Sequence, residues 1–438
     1  MSPRVPLHVL ALLACFASTA ASQSPGAMFR GGPSHPGSYP ASGPRSAPRV
    51  AWRFHTGGRV FGSPAVVGAT VYIGSTDANV YALDRATGGL RWKTATGGRV
   101  TSTPVVAGGR VYLVSYDGRL YALDAGTGAV AWTFRTAGER RFTARHLHGF
   151  APDAESMPDP FDIYLSSPVV WRDLVVFGSG DGHVYGVDAS SGRLRWSYLT
   201  GDVVHASPAV AGGTVYIGSW DGWLYALDAA KGTLRWKLRT GQDDDIHNQV
   251  GFQSSAAVMD GVVYVGCRDA HLYAVDARTG ARRWGYSTRG SWVISSPAAV
   301  DGRVYFGTGD SRRFIALDAR TGAAVGSWPF SWYLFASPAI AGGLAYVAGW
   351  DGKLTAIDLA TRRPVWTWQT DASRQHLAEF SKPDGSMRLR PEGSDPFYDE
   401  LVTAVTRSFS LGSLLSSPVV VDGTLYIGSA DGDVYALR

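Results

Sequence analysis

The stretch HASPAVAGGTVYIGSWDGWLYALDAAKGTLRWKLRT, residues 205–240, contains four short apolar runs that are each bounded by glycine or aspartate. Runs of this kind predict a meander of four antiparallel strands. Gly212 and Gly213 provide the positive backbone dihedrals of a tight hairpin, and Asp221-Gly222 does the same between the second and third strands. The third turn runs from Asp228 to Gly232. The carboxylate of Asp228 can accept hydrogen bonds from the amides of this turn.

The same pattern occurs eight times, each time with a serine or threonine before a proline or alanine at the start of the first strand. These anchors are separated by 40, 64, 40, 48, 41, 41 and 80 residues and are Ser63, Thr103, Ser167, Ser207, Ser255, Ser296, Ser337 and Ser417. A period of about 40 residues built from short strands is typical of a propeller. The sequence therefore predicts an all-β fold, an eight-bladed β-propeller of four-stranded antiparallel blades over residues 48–438, with insertions at 137–164, 241–253 and 371–413.

One tryptophan per unit lies on the outermost strand, eight residues beyond the turn aspartate in six units. Because these residues recur by unit, we expect them to pack between blades rather than to stack on a ligand. They are Trp52, Trp92, Trp132, Trp196, Trp236, Trp284, Trp328 and Trp366. Trp328 comes two residues late, and Arg362 replaces the turn glycine of the seventh unit, so we expect that turn to differ.

The eighth unit ends after its third strand, at Arg438. Residues 50–54 match the tryptophan-bearing outer strand of the other units. Pairing this N-terminal strand with the last blade removes two open sheet edges, so the sequence predicts that it closes the ring.

The formal net charge is +5, from 41 basic and 36 acidic residues. The basic residues are scattered singly, whereas nucleic-acid binding requires a concentrated basic face. We therefore expect no nucleic-acid partner.

Residues 1–22 have the pattern of an export signal, with Arg4 before the apolar residues 5–14. Two cleavage sites compete: one resembles a lipoprotein box and leaves a lipid-modified Cys15, and the other follows Ala21. Both predict a periplasmic or envelope protein, and only the first predicts a membrane anchor. We expect residues 23–47 to form an extended linker. Cys267 then has no disulfide partner and is expected to be a packed thiol.

The phrase SSPVVVDGTLYIGSADGDVYALR, residues 416–438, resembles the pyrroloquinoline-quinone (PQQ)-type propeller repeat of quinoprotein alcohol dehydrogenase-like proteins. AMFRGGPSHPG, residues 27–37, resembles the start of bacterial envelope proteins of this class. The class includes dehydrogenases that carry PQQ and calcium, and the cofactor-free propeller lipoprotein subunit of the outer-membrane β-barrel assembly machine. The resemblance implies the fold strongly and leaves two functions open.

The loops that join strands two and three, and those that join successive blades, lie on one face of a propeller, and all three insertions fall there. Two positions of the repeat on this face carry unusual residues. Ahead of the Asp-Gly turn, where the fold accepts Gly or Ala, stand the large residues Tyr116, Trp220, Arg268 and Trp350. Two residues before the anchor, where other units are mostly apolar, stand the polar residues His205 and Gln253. They predict a funnel mouth that binds a ligand or a peptide. The alternative is that they plug the axial channel.

Two further clusters have metal-binding residue types. Oxygen ligands in the second insertion could hold calcium, or form an ordinary solvated loop: Asp243, Asp244, Asp245, His247 and Asn248. The first insertion has His146 and His148 near Asp153, Glu155, Asp159 and Asp162, which could bind a transition metal if the segment is extended. In the third insertion, Phe397, Leu401, Val402 and Val405 predict a short helix across the ring.

For a dehydrogenase of this class the resemblance implies a vicinal cysteine pair beside the quinone, although sugar and sorbosone-type members dispense with it. The chain has only Cys267 after the signal and no CxxCH haem motif. We therefore predict a non-catalytic, monomeric envelope scaffold that binds proteins or a small ligand, without a cofactor. The alternative is a PQQ- and calcium-dependent dehydrogenase that oxidises alcohols or sugars.

Overall fold

Each of the eight repeat units forms a four-stranded antiparallel sheet, so the chain is an eight-bladed β-propeller, as predicted. The structure, a computed structural model, describes residue 24 and residues 26–145, 147–149, 151–152, 154–241, 251–388 and 397–438. The predicted signal peptide lies outside these residues, as do the cluster at 243–248, His146 and Asp153.

The first half of the chain contains a short strand, the strand that completes the last blade, four blades and a hairpin in the first insertion. In chain order these strands are β1 (Ser38–Tyr39), β2 (Val50–His55), β3 (Ala65–Val67), β4 (Thr70–Gly74), β5 (Asn79–Asp84), β6 (Leu90–Ala95), β7 (Val105–Ala107), β8 (Arg110–Ser115), β9 (Arg119–Asp124), β10 (Val130–Arg135), β11 (Thr143–Arg145), β12 (Ser156–Pro158), β13 (Val169–Trp171), β14 (Leu174–Gly178), β15 (His183–Asp188), β16 (Leu194–Leu199), β17 (Ala209–Ala211), β18 (Thr214–Gly218), β19 (Trp223–Asp228) and β20 (Leu234–Arg239).

The second half contains the remaining four blades, two α-helices of the third insertion and, in that insertion, two short 3-10 turns. In chain order the elements are β21 (Ala257–Met259), β22 (Val262–Cys267), β23 (His271–Asp276), β24 (Arg282–Ser287), β25 (Ala298–Val300), β26 (Arg303–Gly307), β27 (Arg313–Asp318), β28 (Ala324–Pro329), β29 (Ala339–Ala341), β30 (Leu344–Ala348), β31 (Lys353–Asp358), β32 (Arg363–Gln369), α1 (Asp371–His376), the turn Leu377–Phe380, α2 (Tyr398–Ser408), the turn Phe409–Leu411, β33 (Val419–Val421), β34 (Thr424–Gly428) and β35 (Asp433–Leu437).

Burial follows the position of each strand in its blade. The second strand, such as β18 with the sequence TVYIG, is buried at every residue because neighbouring blades cover both of its faces. The outermost strand, such as β16, alternates between exposed and covered positions. The core therefore lies between the blades, in the inner three strands of each.

The eighth blade takes its outer strand from the start of the domain. β2 pairs antiparallel with β35, and Trp52 lies opposite Ala436. This is the pairing that the sequence predicted for residues 50–54. It gives the last blade the same four strands as the others.

The anchors of the repeat form a closed ring of hydrogen bonds around the axis. The backbone amide of each anchor donates to the side-chain oxygen of the anchor in the next blade, at 2.8–3.1 Å. Thr103 plays the same part as the seven serines. The hydroxyl at this position therefore joins neighbouring blades, which explains why each unit carries one.

The tryptophans of the outer strands contact the following blade. Six indole Nε1 groups donate to a backbone carbonyl there, at 2.8–3.1 Å, from Trp52, Trp92, Trp196, Trp236, Trp284 and Trp328. Trp366 donates to the Pro44 carbonyl at 3.1 Å, and Trp132 packs over Gly192. Each ring up to Trp284 packs on the turn glycine of the next blade, which explains the pairing of these two residue types.

The turn that contains Arg362 was predicted to differ from the others, because Arg362 stands where they have glycine. Arg362 takes the same left-handed conformation as the turn glycines, with φ of 60°, and the outer strand begins directly after it, at Arg363. Gly322 in the preceding blade cannot accept a side chain, because a Cβ there would lie 2.7 Å from Trp284. The late position of Trp328 leaves room at Arg362, whose carbonyl accepts the Trp328 indole hydrogen bond.

Residues 26–39, within the segment that we expected to be a linker, pack against the end of the axis opposite the insertions. Carbonyls of this segment accept hydrogen bonds from inner-strand amides of six blades, donated by Val66, Val106, Val210, Val258, Ala299 and Ile340. β1 pairs in parallel with β29. Arg30 is buried and donates to the Pro338 carbonyl at 2.5 Å. The segment thus closes the lower end of the channel.

The described parts of the insertions lie on the opposite face, called here the loop face. The first insertion contains the hairpin β11–β12 and the third contains α2, the helix that the sequence predicted. No helix among the described residues has the length and apolar character required to span a membrane.

Candidate functional site on the loop face

The first insertion fills the axis of the ring. Phe161 lies at its centre, and the centroid of its ring is 5.5 Å from that of Trp292, 6.0 Å from that of Trp350 and 6.2 Å from that of Phe335. All four side chains are buried. Of the two predictions for this face, the structure supports the plugged channel.

Beneath Phe161 a cavity of about 40 Å³ remains on the axis. Phe29 of the N-terminal segment and several anchor serines line it. A cavity of this size holds no more than a few water molecules. The chain therefore closes its own channel at both ends.

His205 binds two acidic residues of the first insertion. Its Nδ1 lies 2.7 Å from Asp162 Oδ1, and its Nε2 lies 3.5 Å from Glu139 Oε2. Burial alone would lower the pKa of His205, but the two carboxylates outweigh it and raise the pKa to about 9. His205 is therefore charged at neutral pH.

Arg268 forms a second buried ion pair with the same insertion. Its Nη1 donates to Asp159 Oδ2 at 2.6 Å, and both side chains are inaccessible to solvent. The guanidinium lies 3.7 Å from the ring centroid of Trp292 and 4.8 Å from that of Trp220. Aromatic faces and a carboxylate thus surround the charge, as favourable cation–π contact requires.

Gln253 and Trp220 also contact the first insertion. Gln253 Nε2 donates to the Phe161 carbonyl at 2.7 Å. Trp220 stacks on Phe142, with ring centroids 4.2 Å apart and planes 5° from parallel. These contacts hold the segment on the fourth and fifth blades.

Trp350, which also contacts Phe161, holds the third insertion. Its Nε1 donates to Ser408 Oγ at the end of α2, at 2.8 Å. Its ring stacks on Phe409, with centroids 5.5 Å apart. Trp350 therefore positions the helix over the axis.

Tyr116 lies at the edge of the group and is half-buried. The Arg99 guanidinium lies 4.9 Å from its ring centroid. Burial, followed by the charge of Asp162, raises the pKa of the Tyr116 phenol above its usual range. The phenol is therefore neutral at physiological pH.

The six residues singled out from the sequence thus lie on one face, and five of them hold the insertions. The sequence does not predict which residues of the first insertion these five contact. The residues that do so are Glu139, Phe142, Asp159, Phe161 and Asp162, of which only the two aspartates were predicted, as metal ligands. The only local signal is the segment DPFD at 159–162, in which two acidic residues flank a proline and a phenylalanine within an insertion.

Only part of the two predicted metal clusters lies among the described residues. Asp159 and Asp162 bind Arg268 and His205. The part of the chain that the structure describes contains no group of three or more His, Cys, Asp or Glu side chains arranged to hold a metal ion. The cluster at 243–248, and His146 with Asp153, lie outside that part.

The residues on the axis do not fit PQQ with its calcium ion. A tricyclic quinone needs far more room than the cavity of about 40 Å³, and Phe161 occupies the space above it. Cys267 is fully buried, with its Sγ 3.5 Å from the Gly251 carbonyl. Burial raises the pKa of this thiol well above its usual range, so it is not a reactive thiolate.

Comparison with known proteins identifies relatives by family and by fold. The family model described as outer membrane protein assembly factor BamB matches residues 46–151, 160–292 and 290–438. A comparison with curated proteins gives no match.

Solved structures of similar fold include both functional types that the repeat suggested. BamB from Moraxella catarrhalis is 18% identical, with 90% of this chain and 98% of that chain covered and a TM-score of 0.64. A europium-containing methanol dehydrogenase is 16% identical, with coverage of 95% and 98% and a TM-score of 0.69. Quinohemoprotein alcohol dehydrogenase from Comamonas testosteroni is 14% identical, with coverage of 94% and 80% and a TM-score of 0.67.

At such low identities the solved structures establish a common fold and nothing more. The family model is the more specific finding, because its three matches together span nearly all of the propeller. The chain therefore belongs to the family described as outer membrane protein assembly factor BamB.

Proposed function

We propose that this protein is a non-catalytic scaffold of the cell envelope, whose loop face binds protein partners in outer-membrane protein assembly. One observation carries the proposal: the axis of the ring is filled by the chain's own first insertion, with Phe161 at its centre. The cavity of about 40 Å³ that remains there is too small for a quinone, whereas the outer surface of the insertions stays available for binding. The match to the BamB family supports the same assignment.

In this proposal the six residues singled out from the sequence act indirectly. Trp220, Arg268 and Trp350 are each at most 2% exposed, so their contacts are with the insertions and not with solvent. They would set the shape of the binding face by fixing the segments that form it. Substituting them would therefore change stability as well as binding.

The exposed part of α2 is the surface to test. Phe397 lies immediately before the helix, and its aromatic side chain is 50% exposed. Leu90 is equally exposed but lies at the start of an outer strand, next to the turns of the opposite face. The two residues form a matched pair for an experiment.

The experiment compares Phe397→Ser with Leu90→Ser in the envelope of the host bacterium. Affinity purification after crosslinking, followed by mass spectrometry, measures recovery of the outer-membrane assembly proteins. We expect the Phe397 variant to recover several-fold less, and the Leu90 variant to match the wild type, at unchanged melting temperatures. Equal recovery by both variants would remove this face from the proposal.

A cofactor titration tests the scaffold assignment itself. Addition of PQQ and calcium to the purified protein should leave tryptophan fluorescence unchanged and should produce no dye-linked oxidation of alcohols or sugars. Quenching together with oxidation would overturn the assignment.

We further propose that the protein is exported through residues 1–22. Mass measurement of the mature N-terminus distinguishes the two cleavage sites, since only cleavage before Cys15 leaves a lipid-modified residue. A mature protein that retains Met1 would contradict export by this segment.

A further inference from the structure

A pocket of about 260 Å³ opens beside the plugged axis, between the first two blades and the insertions. Three arginines from separate parts of the chain line it: Arg59 precedes the first blade, Arg99 precedes the second and Arg141 belongs to the first insertion. This group is called the arginine pocket below. The blade loops and the insertion build it together, so it exists only in the folded ring.

The positive charge of the arginine pocket is not neutralised by its own walls. The residues that line it include no aspartate or glutamate. Two nearby carboxylates contact His205. Asp162 Oδ1 lies 2.7 Å from its Nδ1, and Glu139 Oε2 lies 3.5 Å from its Nε2. The two carboxylates and the charged His205 leave one negative charge, against three positive charges on the arginines.

Two further observations indicate that the arginines are incompletely satisfied. Arg141 Nε is buried and has no hydrogen-bond partner within the described part of the chain. Burial, and then the charge of Arg99, lower the pKa of Arg59. Like charges held close together without a carboxylate between them favour the arrival of an anion.

The rest of the pocket is apolar. Phe61, Phe409, Ile163 and Val405 contribute to its walls. The Arg59 guanidinium lies 5.0 Å from the ring centroid of Phe409, so charge and aromatic surface are adjacent. A fully hydrated ion would use only the arginines, whereas a ligand with an apolar body would use both kinds of wall.

We propose that the arginine pocket binds a small organic anion, in which one carboxylate or phosphate group is attached to a compact apolar body. The anionic group lies among Arg59, Arg99 and Arg141, and the apolar body packs on Phe61 and Phe409. The proposal is independent of the scaffold function, because it concerns a pocket and not the outer surface of α2.

The test uses calorimetric titration of the full-length mature protein with four probes: benzoate, phenyl phosphate, inorganic phosphate and benzyl alcohol. We expect one of the two aromatic anions to bind with Kd below about 1 mM, and the neutral alcohol and inorganic phosphate to bind at least about tenfold more weakly. The better of the two anions shows whether the pocket prefers a carboxylate or a phosphate. Binding should weaken as salt is added.

Variants connect binding to the pocket. Arg99→Gln and Arg141→Gln should each weaken the preferred anion about tenfold or more, since each removes a charge-assisted hydrogen bond. Arg119→Gln, at a half-buried arginine of the second blade outside the pocket, is the matched control and should bind like the wild type. Melting temperatures verify that all three variants are folded.

Three results would overturn the proposal. The first is that neither aromatic anion binds at about 1 mM. The second is that benzyl alcohol or inorganic phosphate binds as tightly as the aromatic anions. The third is that Arg119→Gln weakens binding of the anion as much as Arg99→Gln and Arg141→Gln do. None of them bears on recovery of assembly proteins through α2, so failure here is distinguishable from failure of the scaffold function.

Discussion

The backbone amide of Ser417 donates a 3.0 Å hydrogen bond to the hydroxyl of Ser63, a residue 354 positions earlier in the chain. This bond closes the ring of eight anchor hydrogen bonds, because it joins the last blade to the first. Both side chains are buried. The most regular feature of the sequence thus acts at the point where the two ends of the propeller meet.

Removal of the Ser63 hydroxyl should destabilise the closed ring. Ser63→Ala leaves the buried Ser417 amide without its acceptor, and we expect a loss of about 1–3 kcal/mol in the free energy of unfolding. Ser63→Thr should retain stability, because Thr103 fills the same role in the second blade. Urea denaturation measures both variants, and a threonine variant as unstable as the alanine variant would contradict the role of the hydroxyl.

Loss of the closing strand should affect the whole molecule. Deletion of residues 48–56 exposes β35 and removes Trp52 from its contact with the first blade, so we expect a large fall in melting temperature. Val50→Ser, at a 43% exposed position of the same strand, should stay within about 2 °C of the wild type. An unchanged melting temperature after deletion would show that the ring does not depend on this strand.

The turn glycines should differ in their tolerance of a side chain. Gly322→Ala combines left-handed strain with a Cβ placed 2.7 Å from Trp284. Gly343→Ala has the same strain, with φ of +77°, but no atom within 4 Å of the new Cβ. We expect a loss of about 1 kcal/mol at Gly343 and a further 1–3 kcal/mol, roughly, at Gly322. Equal losses in thermal unfolding would mean that the Trp284 contact is not tight.

The buried pair of Arg268 and Asp159 should matter far more than an exposed pair. Arg268→Met removes the Arg268 guanidinium from the buried Asp159 carboxylate, at a cost of about 3–5 kcal/mol. Arg283→Met breaks the exposed pair with Asp276, at 2.8 Å, and should cost at most about 1 kcal/mol. Urea unfolding compares the two, and limited proteolysis should cut the first insertion faster only in the Arg268 variant. Similar losses would indicate that Arg268 does not hold the insertion.

Stability should depend on the protonation of His205. Its pKa is raised from 6.5 to about 9, so the folded state binds the proton more tightly than the unfolded state. The stabilisation is therefore complete below about pH 6.5 and is lost as the pH rises through 9, with a slope of at most about 1.4 kcal/mol per pH unit.

A His205→Gln variant isolates this contribution. The difference in unfolding free energy between the wild type and the variant should shrink from pH 6.5 to pH 9 and above. A difference that does not vary with pH would show that His205 is not charged in the folded protein. Groups far from His205 titrate equally in both proteins and cancel from the comparison, whereas Asp162 and Glu139 contact His205 and belong to the measured difference.

The propeller could be predicted from the repeat alone, because the turns, the strand pattern and the tryptophan positions are local properties that recur in every blade. It also determined the closing strand, since residues 50–54 carry the missing part of the pattern. Departures from the repeat identified His205, Gln253 and Arg268 as residues that the blades do not need.

The contacts of those residues could not be predicted in this way and are known from the folded molecule. Asp162 lies 43 positions from His205 and Asp159 lies 109 positions from Arg268, in an insertion with no repeat to compare it with. The ring of anchors and the arginine pocket likewise join residues of different blades. Such contacts depend on how blades and insertions come together in space, and the pattern within one blade contains no information about that.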